Sequence, residues 1–119
     1  MATGHWAAPS GGGFSYELSP DGHYVYASVV QSSVYNCTMT YFRYETGTWG
    51  VQGATMSFSP TFGTVKSEDS CNKSYNYERP ATLARKNVTF ALTLNGNTHE
   101  EQLCLTDKGK EICYRREPR

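Results

Sequence analysis

The chain reads as an all-β protein, an antiparallel up-and-down β-barrel of about eight strands, and three observations predict it. Composition favours strands: Thr occurs thirteen times, Tyr nine and Phe five, while Leu occurs only six times and Ile once. Short runs of alternating apolar and polar residues recur along the chain, each bounded by turn residues. The connections between the runs are almost all two to four residues, too short for the crossover of a Greek-key sandwich; the polar stretch around Cys71 is the main exception. With 119 residues and no linker, repeat or low-complexity tract, residues 1–119 form one domain.

Taken in order, Trp6 is an anchor ahead of the Gly-rich residues 7–13, and Phe14, Tyr16 and Leu18 alternate as the first strand. Ser19-Pro20-Asp21-Gly22 is a turn, with Pro preset for its second position. Residues 23–30 run back as a second strand, 31–33 turn the chain, and 34–44 form the longest one. That third strand places Met39, Tyr41 and Arg43 on one face and Thr38, Thr40, Phe42 and Tyr44 on the other. Glu45-Thr46-Gly47 reads as a turn into 48–52, and Gly53 as a turn into 54–59, where Pro60 ends the strand. A short strand at 63–66, a loop at 67–73, a strand through Tyr75 and Tyr77, and one helical turn at 80–86 follow. Val88, Phe90, Leu92 and Leu94 then alternate cleanly, and a two-residue Gly96-Asn97 turn would set Phe90 opposite Leu103.

The last hairpin, residues 102–116, is the most strongly specified element. A two-residue turn at Lys108-Gly109 pairs Asp107 with Lys110, Leu105 with Ile112, Cys104 with Cys113 and Leu103 with Tyr114. A three-residue loop is favoured by turn chemistry alone, but it would oppose Leu105 to Glu111, so the apolar pattern decides against it. Cys104 and Cys113 then occupy a non-hydrogen-bonded pair, within reach of a disulfide. Cys37 and Cys71 leave one further possible pair. No two cysteines are spaced as zinc ligands, and no metal or other cofactor is expected.

Lys plus Arg equals Asp plus Glu, 11 each, which argues against a nucleic-acid binder. The basic cluster of Lys108, Lys110, Arg115, Arg116 and Arg119 reads as a solvated edge that discourages strand addition. No apolar run is long enough for a membrane-spanning helix, and residues 1–6 do not read as a leader. If the bridges form, the protein is expected to be secreted or periplasmic with its leader absent from this chain; a cytoplasmic location is the alternative. Sequons at Asn36, Asn72 and Asn87 carry meaning only in a eukaryotic secreted protein.

Gly4-x-Trp6 before the first strand, with Arg115 or Arg116 on the last, resembles the lipocalin arrangement in which Gly-x-Trp packs under an Arg at the closed end of the barrel. Asp21-Gly22-x-Tyr24 and Gly47-Thr48-Trp49-x-Val51-x-Gly53 are similar to small bacterial lipocalin-like (calycin-type) domains. The resemblance implies a barrel with a ligand-binding lumen. The parity of the last hairpin selects Arg116 as the residue that stacks on Trp6.

Three functions fit. In the first, the lumen takes a small, largely apolar molecule against Phe14, Tyr16, Tyr24, Tyr26, Tyr41, Trp49, Met56, Phe58, Phe90 and Leu92, with Tyr hydroxyls orienting it; the same stripe could instead be packed core. A second is a lumenal isomerase or cyclase, although His5, His23 and His99 are isolated and Glu100-Glu101 reads as a solvated pair. A third is a secreted interaction or inhibitor domain presenting residues 68–73, which a Cys37–Cys71 bridge would hold on the barrel.

Overall fold

Nine strands run in chain order through the computed structural model, which describes residues 3–7, 13–94, 96–97 and 99–117. They are β1 (Gly4–Ala7), β2 (Gly13–Leu18), β3 (His23–Val34), β4 (Cys37–Gln52), β5 (Thr55–Asp69), β6 (Tyr77–Pro80), β7 (Lys86–Leu94), β8 (Glu101–Asp107) and β9 (Lys110–Glu117). Each pairs antiparallel with its chain neighbour from β1 to β5 and from β7 to β9; β5 pairs with β7, and β9 returns to β1. Thr64 lies opposite Pro80 and Phe58 opposite Lys86 in one continuous register, so β6 and β7 are a single interrupted stave. The result is a closed, eight-stave antiparallel up-and-down barrel. Closure removes the edges that an open sheet of this length would expose.

Gly4-His5-Trp6, expected as an anchor only, is the strand that closes the barrel: Trp6 lies between Tyr16 on β2 and Arg116 on β9. Its Gly-rich lead-in, residues 8–12, lies outside the described residues. The last hairpin has the two-residue register, Cys104 opposite Cys113 and Leu103 opposite Tyr114, with Lys108 and Gly109 at φ 53° and 81°.

Five expectations are corrected. The chain does not turn at 31–33 but at Tyr35-Asn36, both at positive φ, so β3 and β4 form a longer hairpin. Glu45-Thr46-Gly47 is strand rather than turn, and Pro60 does not end β5. Thr61 is the extra residue of a bulge between Thr46↔Phe62 and Gly47↔Pro60, a place where a strand tolerates Pro. Gly47 is needed there because a Cβ would collide with the Ser59 carbonyl oxygen. Residues 80–86 form no helical turn; the one short 3-10 helix among the described residues is Lys73–Tyr75, capped by Asn72. Across β7 and β8 the parity is as expected but the register is two residues further on, Phe90 opposite Leu105 and Leu92 opposite Leu103. The expected register would have set Leu92 against Glu101, and the observed one sets leucine against leucine.

The barrel has two unlike ends. Turns at 19–22 and 53–54 mark the base, and the β8–β9 turn marks the mouth. Trp6, Leu18, Tyr24, Met56 and Leu103 are fully buried between base and middle, joined by Tyr16, Phe58, Val88, Leu105 and Tyr114. This lower lumen is therefore packed core. Above the mouth, the ends of β3, β4 and β5 with β6 project as a leaf, which Cys37–Cys71 (Cα–Cα 5.4 Å) ties to the loop after β5. The second bridge, Cys104–Cys113, joins β8 to β9 with Cα–Cα 3.9 Å.

Candidate functional site at the barrel mouth

Four aromatic rings close the floor of the mouth. Tyr16, Tyr24, Tyr26 and Phe58 point inward from β2, β3 and β5, with Tyr16 centred 4.8 Å from Tyr26 and 5.1 Å from Phe58, and Tyr24 edge-on to Phe58 at 4.9 Å. Alternation puts them there: Tyr16 pairs with Tyr26, and Leu18 with Tyr24. Above them opens a cavity of about 620 Å³, whose upper wall is Arg43, Glu45, Thr82, Arg85, Lys86, Asp107 and Lys108. That volume falls within the usual span of small-molecule sites.

The upper wall is charged and mostly paired. Glu45 receives a hydrogen bond from the Tyr24 hydroxyl (2.6 Å) and an ion pair from Arg43 (3.0 Å). Arg43 also donates to the Thr82 carbonyl oxygen (3.1 Å), which holds the irregular residues 81–85 over the opening. Lys86 pairs with Asp107 at 3.5 Å. Arg85 and Lys108 have no carboxylate partner among the described residues. The wall thus offers four cations against two carboxylates.

Burial raises the Tyr16 hydroxyl far above the ordinary tyrosine range, and Tyr114, Tyr26, Glu45 and Tyr24 add to it. Burial likewise raises Tyr24, helped by its bond to Glu45, and raises Tyr26 against the opposing pull of Ser28 and Arg43. At neutral pH the floor hydroxyls are therefore uncharged and able to donate or accept hydrogen bonds.

The ten residues expected to line a lumen occupy four different places. Tyr16, Tyr24, Tyr26 and Phe58 line the mouth, while Phe14 packs half-buried against the core. Met56 is fully buried core. Tyr41 lies on the leaf, in a separate groove with Val30, Met39, Tyr75 and Tyr77. Trp49, Phe90 and Leu92 line an apolar depression at the base with Pro20 and Val51, where the Trp49 indole donates to the Ser19 carbonyl oxygen at 3.0 Å. Sequence reasoning missed Arg43, Glu45, Arg85, Lys86, Asp107 and Lys108. Parity along β4 put Arg43 on the Tyr41 face without marking it as a site residue, and would have added Glu45 had it not been read as a turn residue.

Outside the mouth, Arg116 lies over Trp6 at 4.3 Å, bonds Glu101 at 2.8 Å and donates to the Thr3 carbonyl oxygen at 2.7 Å. Gly4 makes room for it, since a Cβ there would overlap the guanidinium. Glu101 is thus a structural partner of Arg116. Cys104, Cys113 and Glu111 cluster closely enough to suggest a metal site, but the two sulfurs are bonded to each other and offer no thiolate. His23 pairs with Asp21 at 3.2 Å on the exposed β2–β3 turn. No helix of the described residues is long and apolar enough to cross a membrane.

Comparison of the chain with protein-family models, curated proteins and solved structures found no match.

Proposed function

We propose that the chain is a lipocalin-like small-molecule binder that takes its ligand in the mouth of the barrel. The observation that carries this reading is the cavity over Tyr16, Tyr24, Tyr26 and Phe58, with Arg85 and Lys108 at its rim. The floor suits a flat, apolar body by ring stacking, and its hydroxyls suit one or two polar substituents. Two cations without carboxylate partners suit an anionic end. The ligand is accordingly a small aromatic or alicyclic organic acid, more polar at one end than the largely apolar molecule expected from the sequence.

The test is a fluorescence titration with anilinonaphthalene sulfonate, which has an aromatic body and one anionic group. Saturable binding to the native protein, weakened about tenfold by Arg85→Ala or Lys108→Ala, is the expected result, since a charge-assisted hydrogen bond is worth about 1.5–3 kcal/mol. Absence of saturable binding, or binding indifferent to both substitutions, would count against the site.

The Cys37–Cys71 bridge supports a second reading, an extracytoplasmic interaction domain. It holds residues 70–76 on the leaf, where Asp69 accepts from the Cys71 and Asn72 amides and Asn72 caps the 3-10 turn. Such preorganisation lowers the cost of ordering a recognition loop. Loss of partner binding on reduction, with the barrel still folded, is its signature.

A further inference from the structure

The part of the β3–β4 hairpin beyond the barrel carries no charge. From residue 24 to residue 42 there is no Asp, Glu, Lys, Arg or His, in a chain where charged residues make up 18%. Its upper part is nonetheless exposed: Val30 is 50% accessible, Val34 62% and Tyr35 94%. Exposed β-hairpins usually carry Lys or Glu, which keep them soluble and discourage strand addition. Tyr, Met and Val without charge is instead the composition of an interface core, where a charge would have to be desolvated.

The backbone adds a second observation. The ladder of β2 on β3 ends at Gly13↔Val29, and among the described residues nothing pairs with that edge of β3 from 30 to 34. The edge has no proline, no bulge and no charge. Because Tyr35-Asn36 is a two-residue turn, Val34 and Cys37 form the closing hydrogen-bonded pair. The main-chain groups of Val34, Ser32 and Val30 therefore face β4, and those of Gln31 and Ser33 face outward.

Val30-Gln31-Ser32-Ser33-Val34 reads almost the same in both directions. Antiparallel pairing of two copies about a twofold axis at Ser32 sets Gln31 against Ser33 of the second copy, both with outward main-chain groups. It also sets Val30 against Val34 of the second copy on the face continuous with the barrel interior, and serine against serine on the axis. We propose that the chain forms a symmetric dimer through this edge of β3, unpaired among the described residues, extending the two leaves into one continuous sheet. A second copy fits better than an unrelated peptide because the segment is self-complementary, and because two uncharged edges meet without like charges opposed.

Sedimentation or light scattering of the intact, oxidised protein over a range of concentrations tests this. The expected result is a dimer that Gln31→Pro converts to monomer: the substitution removes one outward N–H and leaves the β3–β4 ladder intact. Ser33→Lys, which places a charge on the edge, should do the same. Near-ultraviolet circular dichroism of both variants should match the wild type, which separates loss of the dimer from loss of the fold. Ser32→Cys should give a covalent dimer on mild oxidation, since the two residues face each other across the axis at a non-hydrogen-bonded pair. A wild type that stays monomeric at every concentration, or a dimer that survives both Gln31→Pro and Ser33→Lys, would overturn the proposal.

Discussion

Trp6, Arg116 and Gly4 show how single residues fix the barrel. Trp6 is fully buried, Arg116 covers its ring, and Gly4 leaves the space the guanidinium occupies. Trp6→Ala should cost about 3–5 kcal/mol of unfolding free energy in a urea titration, the usual loss for a buried aromatic. Arg116→Lys keeps the charge near Glu101 but loses the flat guanidinium over the ring, and should cost about 1 kcal/mol. At the bulge, Gly47→Ala forces a methyl group onto the Ser59 carbonyl oxygen; about 1–3 kcal/mol of destabilisation is expected, with the Trp49 fluorescence environment changed. The tyrosines give a pH dependence. Burial pushes the Tyr114 hydroxyl from its ordinary 10.0 up to about 12, and Tyr16, Tyr24 and Tyr26 are raised as well. Each is held protonated in the fold and ionises more easily when unfolded, so their contribution is fully present below pH 10 and declines as pH rises through the window above it. Absorbance at 295 nm should show these four rings ionising only as the protein unfolds.

Among the elements, the last hairpin was legible in full because turn chemistry, apolar parity and a cysteine pair constrain one register. β7 was legible as a strand but not in its pairing, since a shift of two residues keeps every side chain on its face and only the choice between Leu103 and Glu101 opposite Leu92 decides it. β4 and β5 were misread for a related reason. Glu45, Gly47 and Pro60 are turn or breaker residues locally, and only the bulge at Thr61, a tertiary feature, lets two long strands run through them. That misreading hid Glu45, which belongs to the part of β4 taken as a turn. The disulfides act on different elements. Removing the Cys37–Cys71 bridge by Cys37→Ser with Cys71→Ser frees a loop of 34 residues' separation, worth about 3–4 kcal/mol in the chain-entropy picture. Hydrogen exchange should then rise in residues 34–40 and 67–77 first and leave β8 and β9 protected.

At the scale of the molecule, charge and apolar surface are distributed unevenly around one barrel. The base and middle are packed, the mouth gathers paired and unpaired charges over a tyrosine floor, and the leaf carries most of the exposed large apolar side chains. A composition with net charge zero conceals this, since it averages a charged mouth with an uncharged hairpin. Barrel closure itself was legible from the number of short strands and tight turns. The division of the lumen into filled and open halves was not, because alternation tells which side of a strand a residue faces but not its height in the barrel.

The mouth is the centre of this account, and amide chemical-shift mapping of isotope-labelled protein titrated with anilinonaphthalene sulfonate tests it most directly. Saturating shifts at Tyr16, Tyr26, Arg85, Lys86 and Lys108, with Trp49, Phe90 and Leu92 at the base unmoved, are the expected result. Shifts confined to the base or to Met39, Tyr41 and Tyr77 on the leaf, or none at saturation, would contradict it.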